Sequence, residues 1–283
     1  MIIDRETDYL YLSDLLPSRH PRFYRKLAEV LKRNKVEFGL LPGTRDIWAV
    51  DYMPVQVRAK KFVQFKYEPD YLRNSKKYRA TITPVSVVCE KIGIKPVRTD
   101  IVIDGGNMVK SKSKAIMTAK IFQENPRYSK PQLIGRLREL LEAEEIIIIP
   151  PEPGDYLGHA DGILRFYNEG TVLINDYSRE RNAYYDDLQA TLRKAGLNLI
   201  PIPYHPCRNQ ASASGFYINF LEMKGFILLP FFGLKEDEIA AKRFQELYPK
   251  SKIAVINTNE IAKQDGVLHC ISWNIKSGKK FSN

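Results

Sequence analysis

Cysteine is scarce in this chain. Its three copies, Cys89, Cys207 and Cys270, lie far apart and form no Cys-x-x-Cys pair. That spacing argues against a disulfide framework or a zinc site, and it leaves a free thiol available in a reducing compartment. Long apolar runs are also missing: the most apolar segments, Ile146–Ile149 and Gly225–Gly233, fall far short of the roughly 20 residues that span a bilayer. The first residues, MIIDRETDYLYLSD, carry acids and an arginine where an export signal needs a basic start and an unbroken apolar stretch. A soluble, cytoplasmic protein without a membrane partner is the expectation. No phosphate loop, serine-nucleophile motif or metal-ligand cluster is present, so neither a cofactor nor a metal is expected.

Acidic charge is under-represented, with 33 Asp and Glu against 44 Lys and Arg, a formal net charge of +11. Such a balance raises the question of an anionic partner. The basic residues cluster at Lys110–Lys114 (KSKSK) and between Arg22 and Lys35, the second group on a helix whose other face is apolar. A solvated face explains that pattern. Zinc-finger spacing, a glycine-flanked KH loop and an aromatic RNP pattern are all absent, and no nucleic acid is expected. Hydrophobic residues at 44% and charged ones at 27% leave no stretch polar enough for disorder. The whole chain, residues 1–283, is expected to fold, and we read it as a single domain.

What the sequence does contain is a fivefold rhythm. Helical periodicity runs through Pro21–Arg33, Thr83–Ile92, Lys130–Ala143, Ala183–Ala195 and Lys235–Tyr248. Each is followed by a turn signal and a short β-rich run: Val36–Leu41, Lys95–Ile103, Ile146–Ile149, Leu197–Ile202 and Lys252–Ile256. Beyond each strand comes a loop and a second extended segment, beginning at Ile47, Gly105, Gly158, Gly215 and Gly266. Five units that cannot each bury their own apolar face imply radial packing, an α/β propeller of five blades. The last unit ends soon after Cys270, so Tyr9–Leu12 is expected to supply its missing strand and close the ring.

Each second segment delivers a chemically capable side chain: Asp51, Asn107, His159 with Asp161, Asn219, and Cys270. On an extended segment His159 and Asp161 share a face, so the carboxylate could hold the imidazole in its charged form. Cys270 lies in an apolar run where cysteine is usually an inert small hydrophobe. In an extended run the adjacent His269 points to the other face, which leaves His159 as the candidate base. Asp51, preceded by Trp48, reads either as a ligand-facing acid or as an ion pair with Arg45. Asp104, before Gly105 and Gly106, either caps a turn or faces a ligand. A thiol, a histidine and several carboxylates suit a cationic electrophile. Guanidinium fits, because paired carboxylates match its N–H edges and a thiolate can attack its delocalised carbon.

These motifs resemble the guanidino-group-modifying superfamily, and within it the agmatine deiminase and bacterial peptidyl-arginine deiminase family. The resemblance rests on DIWAVDYMPV around Asp51, DGGN at Asp104–Asn107, GHADGILRF around His159, YINF at Asn219 and GVLHCIS at Cys270. It implies a five-bladed α/β propeller, the pentein fold, and hydrolysis of a guanidine group, agmatine to N-carbamoylputrescine by default. It further implies a covalent thiouronium on Cys270, proton transfer by His159, and a guanidinium gripped by Asp51 and Asp161. Trp48, Asp104, Asn107 and Asn219 are the expected substrate-binding residues.

Two departures bear on the substrate. Agmatine deiminases usually read W-x-R-D-x-G-P where this chain has Val50 for the arginine and Met53 for the glycine, and the tryptophan-rich N-terminal segment of typical members is not seen. The expected partner is a small cationic guanidine or an arginine peptide, with a homo-oligomer left open. Protein-arginine deimination and amidino transfer are the alternatives within the chemistry. Outside it stands a non-catalytic propeller that binds guanidines or nucleic acid.

Overall fold

The structure is a computed structural model that describes residues 1–73, 75–179, 183–205 and 212–278; Cys207 lies outside the described residues. Among the described residues, fifteen strands form five three-stranded sheets. The first sheet joins β1 (Tyr9–Ser13), β2 (Glu37–Leu41) and the last strand, and helix α1 (Pro21–Arg33) connects β1 to β2. The second contains β3 (Val55–Arg58), β4 (Lys61–Lys66) and β5 (Val97–Val102), with α2 (Val85–Lys91). In the third are β6 (Val109–Lys110), β7 (Lys114–Thr118) and β8 (Glu145–Ile149), with α3 (Lys130–Leu141). The fourth holds β9 (Leu164–Asn168), β10 (Thr171–Asn175) and β11 (Asn198–Ile202), with α4 (Ala183–Lys194). The fifth comprises β12 (Leu221–Met223), β13 (Phe226–Phe231) and β14 (Lys252–Asn257), with α5 (Glu236–Leu247). The closing strand, β15, covers Ser272–Ile275.

Four sheets share one plan, an antiparallel hairpin and then a helical crossover that returns the chain parallel to the middle strand; in the first sheet β15, from the far end of the chain, takes the place of the hairpin's first strand. The crossover is obligatory, since a parallel neighbour cannot be reached by a tight turn. The helices form because apolar residues recur every fourth position: Phe23, Leu27 and Leu31 in α1, and Leu133, Leu137 and Leu141 in α3, are all buried. Ser129 caps α3 by accepting from the Gln132 amide while the Gln132 side chain accepts from Ser129. Each such buried leucine contributes about 1.5–3 kcal/mol, which fastens helix to sheet.

Ring closure follows the expectation. Tyr9–Leu12 pairs antiparallel with Ser272–Ile275, Tyr9 facing Ile275, and parallel with β2 on its other edge. The basic clusters are accounted for as well. Lys110, Lys112 and Lys114 pair with Asp4, Glu6 and Glu145, while α1 turns Phe23, Leu27 and Leu31 inward. No helix among the described residues is long and apolar enough to cross a membrane.

One expectation needs correction. The segments at Asp51, Asn107, His159 and Cys270 read as extended, but the structure coils them into short turns: Ala49–Tyr52, Gly105–Asn107, Ala160–Gly162, and the stretch 268–271. Backbone bonds close them locally, such as Ser272 N to His269 O at 3.0 Å and Ile271 N to Val267 O at 3.3 Å. The extended part begins only afterwards, so alternation of faces does not decide where these side chains point.

Candidate active site

The turns stand at the starts of the inner strands, and the first three touch in sequence: Ala49–Tyr52 meets Gly105–Asn107, which meets Ala160–Gly162. Two glycines permit the approach. A Cβ on Gly105 would stand 1.9 Å from the Val50 carbonyl oxygen, and one on Gly106 would stand 2.5 Å from His159 Nδ1. Any side chain at either position would push Asp51 and His159 apart.

Cys270, His159, Asp51 and Trp48 line one cavity of about 430 Å³, together with Asp46, Tyr67, Tyr71, Tyr156 and Asp265. That volume suits a small organic ligand. The Asp51 carboxylate accepts from the Gly106 amide at 3.0 Å and lies 3.7 Å from His159 Nδ1. Arg45 instead donates to the Ile82 carbonyl, so the ion pair considered for Asp51 does not form. His159 Nε2 meets Asp104 Oδ2 at 3.2 Å, and the same oxygen accepts from the Tyr71 hydroxyl at 3.1 Å. Asp104 thus backs the histidine.

The electrostatics follow from burial and company. Burial alone would push His159 down, but Asp51 and Asp104 outweigh it and raise it to about 10, so the imidazolium is held at neutral pH. Burial raises Asp51 to about 7 even though His159 pulls the other way. Cys270 is pushed well above the ordinary thiol range by burial and by the nearby Asp161 and Asp51 charges. These surroundings favour the neutral thiol over the thiolate.

Asp161 is placed differently from the sequence expectation. Its Oδ2 accepts from His269 Nδ1 at 2.6 Å and lies 3.9 Å from Cys270 Sγ, so its main partner is His269 rather than His159. Burial opposes its charge, but the His269 hydrogen bond holds its carboxyl below the usual range. His269, lowered by burial and by Arg165, serves as a neutral donor. Asn219 sits beside them. Its Oδ1 accepts from the His269 and Cys270 amides at 3.1 and 3.3 Å, which turns Nδ2 toward Cys270 Sγ at 3.2 Å. Asn107, expected at the ligand, is buried and accepts from the Thr118 amide at 2.8 Å; it does not line the cavity.

Val50 and Met53 line a separate small cleft with Asp4, Lys110 and His269 and do not line the Cys270 cavity, although the Val50 amide donates to the Cys270 carbonyl at 3.2 Å. A second cavity, about 300 Å³, opens beside β6, β9 and β12, the inner strands of their blades, lined among others by Asp4, Arg5, Lys110, Arg165, Glu222 and His269. Sequence reasoning missed Tyr67, Tyr71, Tyr156, Asp46 and Asp265, which complete the first cavity. The tyrosine-rich segment Tyr67–Leu72 was the one available signal.

The sequence and the fold both have counterparts among known proteins. A family model for Porphyromonas-type peptidyl-arginine deiminase matches residues 18–275. The chain belongs to that family. Relatives of this deiminase family extend the comparison. A Streptococcus mutans protein assigned as an agmatine deiminase is 26% identical over 220 residues, covering 65% of this chain and 60% of that one. The match spans about 60% of the length of that curated relative. In structure, the agmatine deiminase of C. jejuni superposes with a TM-score of 0.77 at 22% identity, over 97% of this chain and 95% of the other. The Enterococcus faecalis agmatine deiminase gives 0.76 at 17% identity, over 95% and 93%. These likenesses establish the pentein fold, the five-bladed α/β propeller expected from the repeats.

Proposed function

We propose that the chain, as a single deiminase domain, hydrolyses a guanidine group through Cys270, releasing ammonia and leaving a ureido product. One observation carries this reading: a thiol and an acid-held imidazolium share a cavity whose described lining includes Asp46, Asp51 and Asp265 but no lysine or arginine. Asp46 also meets Arg19 and Asp51 meets His159, and the acidic lining that remains favours a cation.

In this reading the guanidinium docks on Asp51 and reaches toward Asp161, and its charge beside Cys270 favours the thiolate, whose proton passes to solvent. Sulfur attacks the guanidinium carbon, and the resulting tetrahedral adduct breaks its C–N bond as His159 gives its proton to the departing ammonia. That leaves a covalent thiouronium. Water, surrendering a proton to His159, then attacks the same carbon; the C–S bond breaks and the sulfur leaves with its electron pair. Asp104 keeps the imidazole aimed throughout. The route needs no cofactor.

The acids at the cavity mouth favour a substrate whose far end is also cationic, with agmatine giving N-carbamoylputrescine as the leading pair. A carboxylate there would find no basic partner in the described lining. Arginine within a peptide is the second reading, favoured by Tyr78 and Tyr156, which stand exposed at the mouth. The test is ammonia and ureido-product release from agmatine, free arginine and arginine peptides, with Cys270→Ala alongside. Agmatine should lead the panel and Cys270→Ala should be silent; turnover that survives in the variant would overturn the mechanism.

A further inference from the structure

Lys120 opens the short helix Lys120–Glu124, directly after β7, yet its side chain is only 8% exposed. A buried ammonium is costly unless well partnered. Here the partners come from three separate segments. The ammonium donates to the Leu157 carbonyl at 2.7 Å and the Tyr156 carbonyl at 3.3 Å, and pairs with Asp70 at 3.0 Å and Glu124 at 3.7 Å. It also lies 4.9 Å from the centre of the Tyr71 ring. Gly158 reserves the space for its stem, since a Cβ there would stand 2.8 Å from Lys120 Cδ.

Two of those segments are walls of the Cys270 cavity. Tyr67, Tyr71 and Leu72 form one, and Tyr156, Leu157 and His159 form the other. The Tyr71 and Tyr156 rings meet edge to face with centroids 5.9 Å apart. Tyr71 also donates to Asp104, which backs His159. We propose that Lys120 is a positioning residue that clamps the two walls over the alkyl chain of a guanidine substrate and, through Tyr71 and Asp104, steadies His159. The assignment rests on the guanidine-hydrolase reading of the site, but Lys120 itself contacts no reacting atom.

Lys120→Met keeps an unbranched apolar stem beside Gly158 and removes the ammonium. The KM for agmatine should rise about tenfold with kcat falling no more than a few-fold. The preference for agmatine over methylguanidine, which is too short to reach the walls, should shrink in step. Amide hydrogen exchange should quicken together in segments 68–73 and 155–158. Unchanged KM and preference, or quickening in one wall alone, overturns the clamp. So does an equal loss on both guanidines with faster exchange throughout the chain, which would mark a general support of the fold. Should Lys120→Met fail to accumulate, Asp70→Asn at a half-exposed partner reads the same shift at smaller size. A native protein inert toward every guanidine would defeat the hydrolase reading, and the paired exchange would then decide the clamp on its own.

Discussion

At the Cys270 end of the inner strands the cavity wall carries Asp46, Asp51 and Asp265 with no lysine or arginine in its described lining. The cavity at the other end is richer in charge, but its charges are matched. Asp4 pairs with Lys110 at 2.9 Å and with Arg165, and Arg5 pairs with Glu222 at 3.2 Å. His269 stands between the two, bonded to Asp161 at 2.6 Å and 4.0 Å from Asp4. Pairing alone does not separate the two ends, because Asp46 meets Arg19 at 3.6 Å and Asp51 meets His159 at 3.7 Å. The sign of the lining does: a wall that carries acids and bases together serves stability, and one that carries acids without lysine or arginine suits a cationic ligand.

That contrast can be broken or sharpened by experiment. The largest effect belongs to His159→Asn, which should cut kcat by about a thousandfold, within the usual range for general acid–base groups, while its amide keeps a donor for the neighbouring acids, so that unfolding shifts far less than activity. A matching collapse of stability would assign His159 to the frame instead. Arg165→Met at the other end should do the reverse. Removing one member of a buried pair costs about 3 kcal/mol, so chemical denaturation should register the change while the KM for agmatine stays within about twofold. A large KM shift would mean that the ends are not separable.

The third test uses pH. Asp51, raised to about 7 by burial, grips a cation only when ionised, so kcat/KM should fall about tenfold per unit below that value. On the alkaline side activity should fade as His159, raised to about 10, loses its proton. The fold should not follow the acid limb. Burial opposes Asp4's charge, yet Lys110 and Arg165 hold its carboxyl well below the usual range. Its stabilising contribution is present above about pH 4 and is lost only as pH falls toward that depressed value. Glu222, raised to about 7 by burial, takes up a proton between pH 7 and 5, which relieves a buried charge. A circular-dichroism melt at pH 5.5 that fell with activity would contradict this separation. The smallest effect is expected from Lys112→Ala: the side chain is 61% exposed against Glu6, so its loss should cost under about 1 kcal/mol and leave turnover unchanged.

The architecture was legible because it repeats. Helices such as α1 and α3 announce themselves by leucine spacing, and closure by Tyr9–Leu12 follows from a last unit that lacks a strand. The site was legible only as a set of residue types. Val267–Ile271 is apolar and reads as strand, yet hydrogen bonds over three and four residues coil it, which puts His269 on Asp161 rather than merely on the opposite face. Asn107 looked like a ligand group because its motif sits beside Asp104, but its Oδ1 accepts from the Thr118 amide and it does not line the cavity. Lys120 gave no comparable signal and the cavity-wall tyrosines only a cluster of aromatic residues, since their meaning depends on contacts between residues distant in sequence.

The closing sheet has a consequence in time. Cys270 stands two residues before β15, the strand that docks on β1, so during synthesis it emerges after Asp51, Asp104, His159 and Asn219 have been made. Cys270 reaches its partners only when the last blade meets the first. Ring closure and assembly of the candidate site are therefore one step, and a nascent chain carries no assembled site until that step is taken.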